Sequence, residues 1–137
     1  MNQVTAAGVI VYKSLGSGRI LFLGLHALPQ FQTKNNGFYD IPKGRIDPGE
    51  NALQTARREA YEEASLTITN FEEGPFIHDK LTVWLTECHQ EPQIGVNPST
   101  GIQEHLGFSW IKPAVLEAQC LDYLKPHVRW ARRLIEG

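Results

Sequence analysis

The chain has 137 residues and a formal net charge of -2, with 42% apolar and 20% charged residues. That length and composition suit one ordinary soluble domain, residues 1–137, built on a single core. The charge balance excludes a broad basic field for nucleic acid, and the apolar runs are far too short to span a bilayer.

Residues 4–12 are rich in Val, Ile and Ala and read as a strand, with Gly8 inside it. Residues 14–18 form a turn, and 19–25 a second strand paired with the first as a hairpin. Residues 28–37 hold Pro, Gln, Asn and Gly and read as a long exposed loop, the kind that often carries function. A short strand at 38–41 then leads into Pro42-Lys43-Gly44. The turn chemistry of Asp47-Pro48-Gly49 separates it from a run of good helix formers at 51–64.

On a helical wheel, Leu53, Ala56, Ala60 and Ala64 share a small apolar stripe roughly 80° wide, suited to close packing on a sheet. Glu59, Glu62 and Glu63 stand beside that stripe at i, i+3 and i+4. Three carboxylates so placed repel one another unless a cation or a basic side chain sits among them. Glu50 precedes the helix, and Arg58 lies four residues before Glu62, where it can orient a carboxylate. The oxygen ligands suit a hard cation.

After the helix, Ser65 takes the position where a left-handed Gly usually ends such a helix, so either the chain tolerates the strain or the helix ends differently, and Ser65→Gly is expected to be neutral or stabilising. Residues 67–71 and 75–78 read as short strands, and 80–87 as an alternating strand. Two prolines and a glycine make 91–100 a loop, and 108–111 is the last strand. Pro113 opens a short helix, and 121–135 is helical with Pro126 marking a start or a kink. The fold class is therefore α/β, a mixed sheet sandwiched between helices. Cys88 and Cys120 lack metal spacing and are expected as free thiols. No basic region followed by an apolar run opens the chain, so a cytoplasmic location is expected. The sequence sets no oligomeric state.

The stretch from Gly44 to Leu66 resembles the Nudix box. Its order is Gly, five residues, Glu, seven residues, Arg-Glu, an apolar residue, any residue, Glu-Glu, any residue, Gly and an apolar residue. Every charged position matches, and Ser65 stands where the family has Gly. The resemblance covers nearly the whole chain, including the Pro-Lys-Gly approach strand. It implies the Nudix fold and hydrolysis of a nucleoside diphosphate linked to a further group, assisted by magnesium, with manganese as the alternative ion. Glu59 and Glu63 would be core metal ligands. Glu62 would join them directly or through water, and Glu50 and the Gly44 backbone would complete the site. Arg58 would orient Glu50. The general base would be a box glutamate or Glu104, which precedes His105 and an aromatic strand.

Lys43, Arg45 and Lys80 are candidate phosphate contacts. Tyr39, Phe31, Phe76 and His78 are candidate stacking partners for a base, whereas Trp84, Trp110 and Trp130 are expected in the core. Pro-Lys-Gly, Asp-Pro-Gly-Glu and Glu-His followed by Trp look most like the asymmetric dinucleoside tetraphosphate hydrolases. A nucleoside triphosphate, ADP-ribose or another nucleotide sugar, and an RNA 5′ end are the alternative substrates. The expected partner is thus a small nucleotide, with no membrane and no nucleic acid beyond an RNA 5′ end. The non-enzyme alternative is a nucleotide-binding module of the same fold, which the intact set of box glutamates argues against.

Overall fold

A computed structural model describes residues 3–32 and 37–137. Positions 33–36 of the expected loop lie outside the described residues. In chain order the strands are β1 (Ala6–Gly16), β2 (Arg19–Ala27), β3 (Tyr39–Asp40), β4 (Lys43–Arg45), β5 (Glu73–His78), β6 (Leu81–Glu87) and β7 (His105–Ile111). The helices are α1 (Ala52–Ala64), α2 (Pro113–Gln119) and α3 (Lys125–Glu136), with 3₁₀ turns at Pro29–Phe31 and Asp122–Leu124. All seven strands join one sheet, ordered β3-β2-β1-β6-β5, with β4 also on β1 and β7 also on β2. The β1–β6 pair is parallel and the rest are antiparallel, which makes the expected mixed sheet.

Alternation along the central strands feeds two cores. Ile10, Phe22, Val83 and Leu85 pack against Leu116, Leu124 and Val128 on the α2/α3 side. Val9, Val11, Leu23 and Leu25 pack against Ala60, Ala64 and Leu66 on the α1 side. Ala56, Ala60 and Ala64 are fully buried as their spacing predicts, but Leu53 is 37% exposed and the buried Thr55 takes part of its expected place. Trp84 and Trp110 pack on the α1-side core and Trp130 on the other. Both cysteines are free and buried. Among the described residues no helix is long and apolar enough to cross a membrane.

Two local readings are corrected. Residues 67–71 form no strand, because side chains satisfy their backbone in place of a ladder. Gln90 brackets Thr67 with two hydrogen bonds of 3.0 Å, the Arg57 guanidinium donates to the Ile68 carbonyl, and the Thr86 hydroxyl donates to that of Asn70. Conversely, the strand expected to end at residue 41 is followed by a further one, since Lys43-Gly44-Arg45 is strand β4, paired to Ala6–Gly8 of β1. Gly8 permits that approach, since a Cβ there would meet the Pro42 carbonyl oxygen at 2.5 Å.

Helix α1 begins with a capping box: the Asn51 side chain accepts from the Gln54 N–H, and the Gln54 side chain returns a bond to the Asn51 N–H. It ends at Ser65 with φ 58° and ψ 31°, the left-handed conformation expected there. That conformation costs a serine about 1 kcal/mol. The Ser65 hydroxyl donates to the Gln93 carbonyl at 3.0 Å, which offsets about 0.5–1 kcal/mol. Ser65→Gly is therefore expected to leave the melting temperature within about 2 °C of wild type. A larger drop in a thermal melt would show that the hydroxyl contact outweighs the backbone strain.

The same segment straps the helix end. The Gln93 and Gly95 N–H groups donate to the Ala64 and Glu63 carbonyls at 2.9 and 3.2 Å, satisfying groups that a helix terminus leaves open. A Cβ at Gly95 would collide with the Glu62 carbonyl, so only glycine lets the strap lie this close.

Candidate active site

Arg58 is the hub of the box. Its Nε and Nη2 donate to the two Glu50 oxygens at 2.7 and 3.1 Å, and its Nη1 donates to Glu59 at 2.9 Å and Glu62 at 3.1 Å. Nη2 also reaches the Arg45 carbonyl at 3.2 Å. Glu50 further accepts from the Thr55 hydroxyl at 2.6 Å and the Asp47 N–H at 3.2 Å. The Arg58 contact draws the Glu50 carboxyl down to about 2. Glu50 thus serves as Arg58's partner and does not line the acidic opening described below.

Glu59 and Glu63 are in the opposite electrostatic state. Burial raises Glu59 to about 7, against the pull of Arg58. Burial also raises Glu63 well above the carboxylate range, with the charges of Asp40 and Glu59 adding to it. Negative charge in this corner therefore exceeds what the protein supplies to balance it. Glu63 Oε1 accepts the Lys43 N–H at 2.9 Å, and the Glu59 carboxylate rests on Gly44, where a Cβ would strike it. Gly44→Ala is expected to push Glu59 aside and weaken magnesium binding about 10–100-fold by calorimetry. Unchanged affinity would remove Glu59 from the ligand set.

Glu59, Glu62, Glu63 and Glu104 line a small opening with Asn97 and His105. Asn97 donates to Glu104 at 3.3 Å. The opening shares Glu63, Glu104 and His105 with a cleft of about 240 Å³. Lys43, Asp40 and Leu121 contribute to the cleft, and Phe31 and Tyr123 are its aromatic walls. Both rings are exposed, at 57% and 45%. Strands β3, β4 and β7, helix α1 and two 3₁₀ turns all converge here.

Several expected contacts lie elsewhere. The Tyr39 ring packs against Gly24 and edge-on to Phe38 and His26, so it fills space beside β2 and lines neither the opening nor the cleft. Phe76 stacks on Trp130 at 5.3 Å, and His78 stands edge-on to His127, both on the α3 side of the sheet. Arg45 is exposed at the end of β4 and lines neither the opening nor the cleft. Lys80 is in the β5–β6 hairpin turn with φ 72°, its carbonyl accepting from Thr5 and Ala6, and also lines neither. Asp40, Asn97 and Tyr123 were not foreseen. Asp40 had one signal, an acid within the apolar strand Phe38–Ile41.

A family profile for the NUDIX domain matches residues 2–136. The chain belongs to the Nudix family. This Nudix chain is 38% identical over 89 residues to the asymmetrical bis(5′-nucleosyl)-tetraphosphatase of Caenorhabditis elegans, covering 64% of this chain and 51% of that protein. It is 33% identical over 78 residues to an RNA pyrophosphohydrolase of a Bradyrhizobium species, covering 57% and 44%. The matches span about half the length of these curated relatives. A crystal structure of a C. elegans Ap4A hydrolase binary complex superposes with a TM-score of 0.68 at 25% identity, covering 98% of each chain.

The clustered glutamates suit a hard divalent cation: carboxylate oxygens, buried carboxyls pushed upward, and Gly44 leaving room for the Glu59 carboxylate. Among the described residues no three acidic, His or Cys side chains are already gathered into a coordination shell. Arg58 holds Glu59 and Glu62, and the Lys43 N–H holds Glu63, so these carboxylates would have to exchange their present partners to hold a cation.

Proposed function

We propose that this protein is a divalent-cation-dependent pyrophosphohydrolase acting on dinucleoside polyphosphates, with diadenosine tetraphosphate as its substrate. The observation that carries the reading is the continuity of the acidic opening with an aromatic-walled cleft through Glu63, Glu104 and His105. A nucleotide has the matching form, with a flat base at one end and an anionic chain at the other. The likeness to the C. elegans tetraphosphatase supports the choice of substrate.

Bound magnesium or manganese would neutralise the phosphate chain and acidify a water. Glu59 and Glu63 would hold it, with Glu62 joining directly or through water. Lys43 brings one positive charge to the cleft wall. Glu104, steadied by Asn97, accepts the proton as the water oxygen bonds to phosphorus. The phosphoanhydride P–O bond breaks, and the leaving nucleotide carries its electron pair on a phosphate oxygen. Asymmetric cleavage yields a nucleoside triphosphate and a monophosphate. Phe31 and Tyr123 offer faces to a base. A free nucleotide substrate accords with a cytoplasmic setting.

The test is a panel of diadenosine tetraphosphate, a deoxynucleoside triphosphate, ADP-ribose and 5′-triphosphorylated RNA with magnesium in oxygen-18 water. Mass spectrometry is expected to show ATP and AMP from the first, with one product labelled. Preference for another substrate moves the reading to that class. Tight binding without turnover would make the protein a nucleotide-binding module.

A further inference from the structure

We propose that Asp40 is a positioning residue that clamps Lys43 and His105 together and so fixes the cleft wall against Glu63 and Glu104. Asp40 sits on the two-residue strand β3 and is only 7% exposed. Its Oδ2 accepts from His105 Nε2 at 3.0 Å and from Lys43 Nζ at 3.3 Å. Its Oδ1 accepts the Ile41 N–H at 2.8 Å and lies 3.2 Å from the Lys43 ammonium. An ionised carboxylate only accepts, so His105 carries its proton on Nε2.

Each partner leads to a different part of the site. Lys43 donates its backbone N–H to Glu63, and its ammonium lies 5.4 Å from the centre of the Tyr123 ring. His105 opens β7 directly after Glu104. One carboxylate therefore joins β3, β4 and β7 where they meet the opening and the cleft. Asp40 holds the Lys43 ammonium at the cleft wall from both of its oxygens, at 3.2 and 3.3 Å. A free lysine arm loses rotamer freedom when a phosphate fixes it. The clamp makes that loss before substrate arrives.

The clamp predicts coupling. Asp40→Asn keeps the shape and one of the two acceptor oxygens but removes the charge. With magnesium and diadenosine tetraphosphate, it is expected to raise KM about tenfold with kcat nearly unchanged. In a Lys43→Met background the same change is expected to cost less than about twofold, because the group it positions is gone. Additive losses would overturn the proposal, since a merely structural role acts in either background. A second measurement needs no substrate. The proton–nitrogen spectrum of the lysine ammonium groups should show a protected Lys43 signal, identified by its absence from Lys43→Met and lost in Asp40→Asn. Persistence of that signal in Asp40→Asn would overturn the clamp.

The kinetic arm rests on the hydrolase reading and runs on whichever panel nucleotide is cleaved. A panel without turnover defeats that reading, while the spectrum still decides the clamp. Should Asp40→Asn not fold, Lys43→Met must shift the His105 ring nitrogens, because both groups share one carboxylate oxygen. An unmoved ring would sink the idea.

Discussion

Glu63→Gln is expected to lower magnesium-dependent turnover by about 10²–10⁴-fold while the circular dichroism spectrum stays that of wild type. The amide is nearly isosteric and its oxygen can still accept the Lys43 N–H, so the α1–β4 contact survives. What disappears is a negative charge in the corner where the protein supplies too little positive charge to balance it. Near-wild-type turnover would remove Glu63 from the reaction and leave Glu59 and Glu104 to carry it.

The same imbalance sets a pH dependence of stability. Glu59 and Glu63 both have folded-state values above the ordinary 4.5. The folded chain therefore binds protons more tightly than the unfolded chain, and stability falls as pH rises through that window. For Glu59 the window runs from 4.5 to about 7. A shift of that size corresponds to roughly 2–3 kcal/mol. In EDTA, Glu59→Gln is expected to melt above wild type at pH 8 and close to it below pH 4.5, with added magnesium closing the gap at pH 8. A melting temperature at pH 8 no higher than wild type would show that Arg58 already balances Glu59.

Features with a local signature were legible in the sequence. Ala56, Ala60 and Ala64 recur at helical spacing and are the buried stripe of α1. Ser65 follows the last buried alanine and takes the left-handed position. Leu53 shared that periodicity yet lies on the exposed edge, because the first turn packs through Thr55, whose hydroxyl is tied to Glu50.

Features set by tertiary closure were hidden. Residues 67–71 have strand composition, but β6 already pairs with β1 and β5 and has no free edge to offer them, and side chains take up their backbone groups instead. Tyr39 and Tyr123 could not be ranked by type alone. The first is drawn against Gly24, and the second is turned outward where the chain pauses in a 3₁₀ turn before Pro126 starts α3. Asp40 and His105 meet across 65 residues, a separation that leaves no periodic trace in one sequence.

Arg58→Met is expected to lower the melting temperature by roughly 10 °C at pH 7, from a loss of about 2–3 kcal/mol. Methionine replaces most of the apolar stem but none of the donors. Glu50, Glu59 and Glu62 then face one another without their shared cation, and the Arg45 carbonyl loses its donor. The Arg58 side chain is 26% exposed, so water screens part of the loss and keeps it below that of a fully buried pair. Arg58→Lys should recover less than half, because one ammonium cannot donate in the fork geometry that spans Glu50 and reaches Glu59 and Glu62. The pH dependence separates charge from packing. Glu50 is held down at about 2, so its contribution is fully present above its ordinary 4.5 and is lost as pH falls through 2. The gap between wild type and Arg58→Met should therefore narrow below pH 4.5, whereas a gap of the same size at pH 3 and pH 7 would assign the loss to packing of the arginine stem and leave the carboxylates without a stabilising share in the folded state.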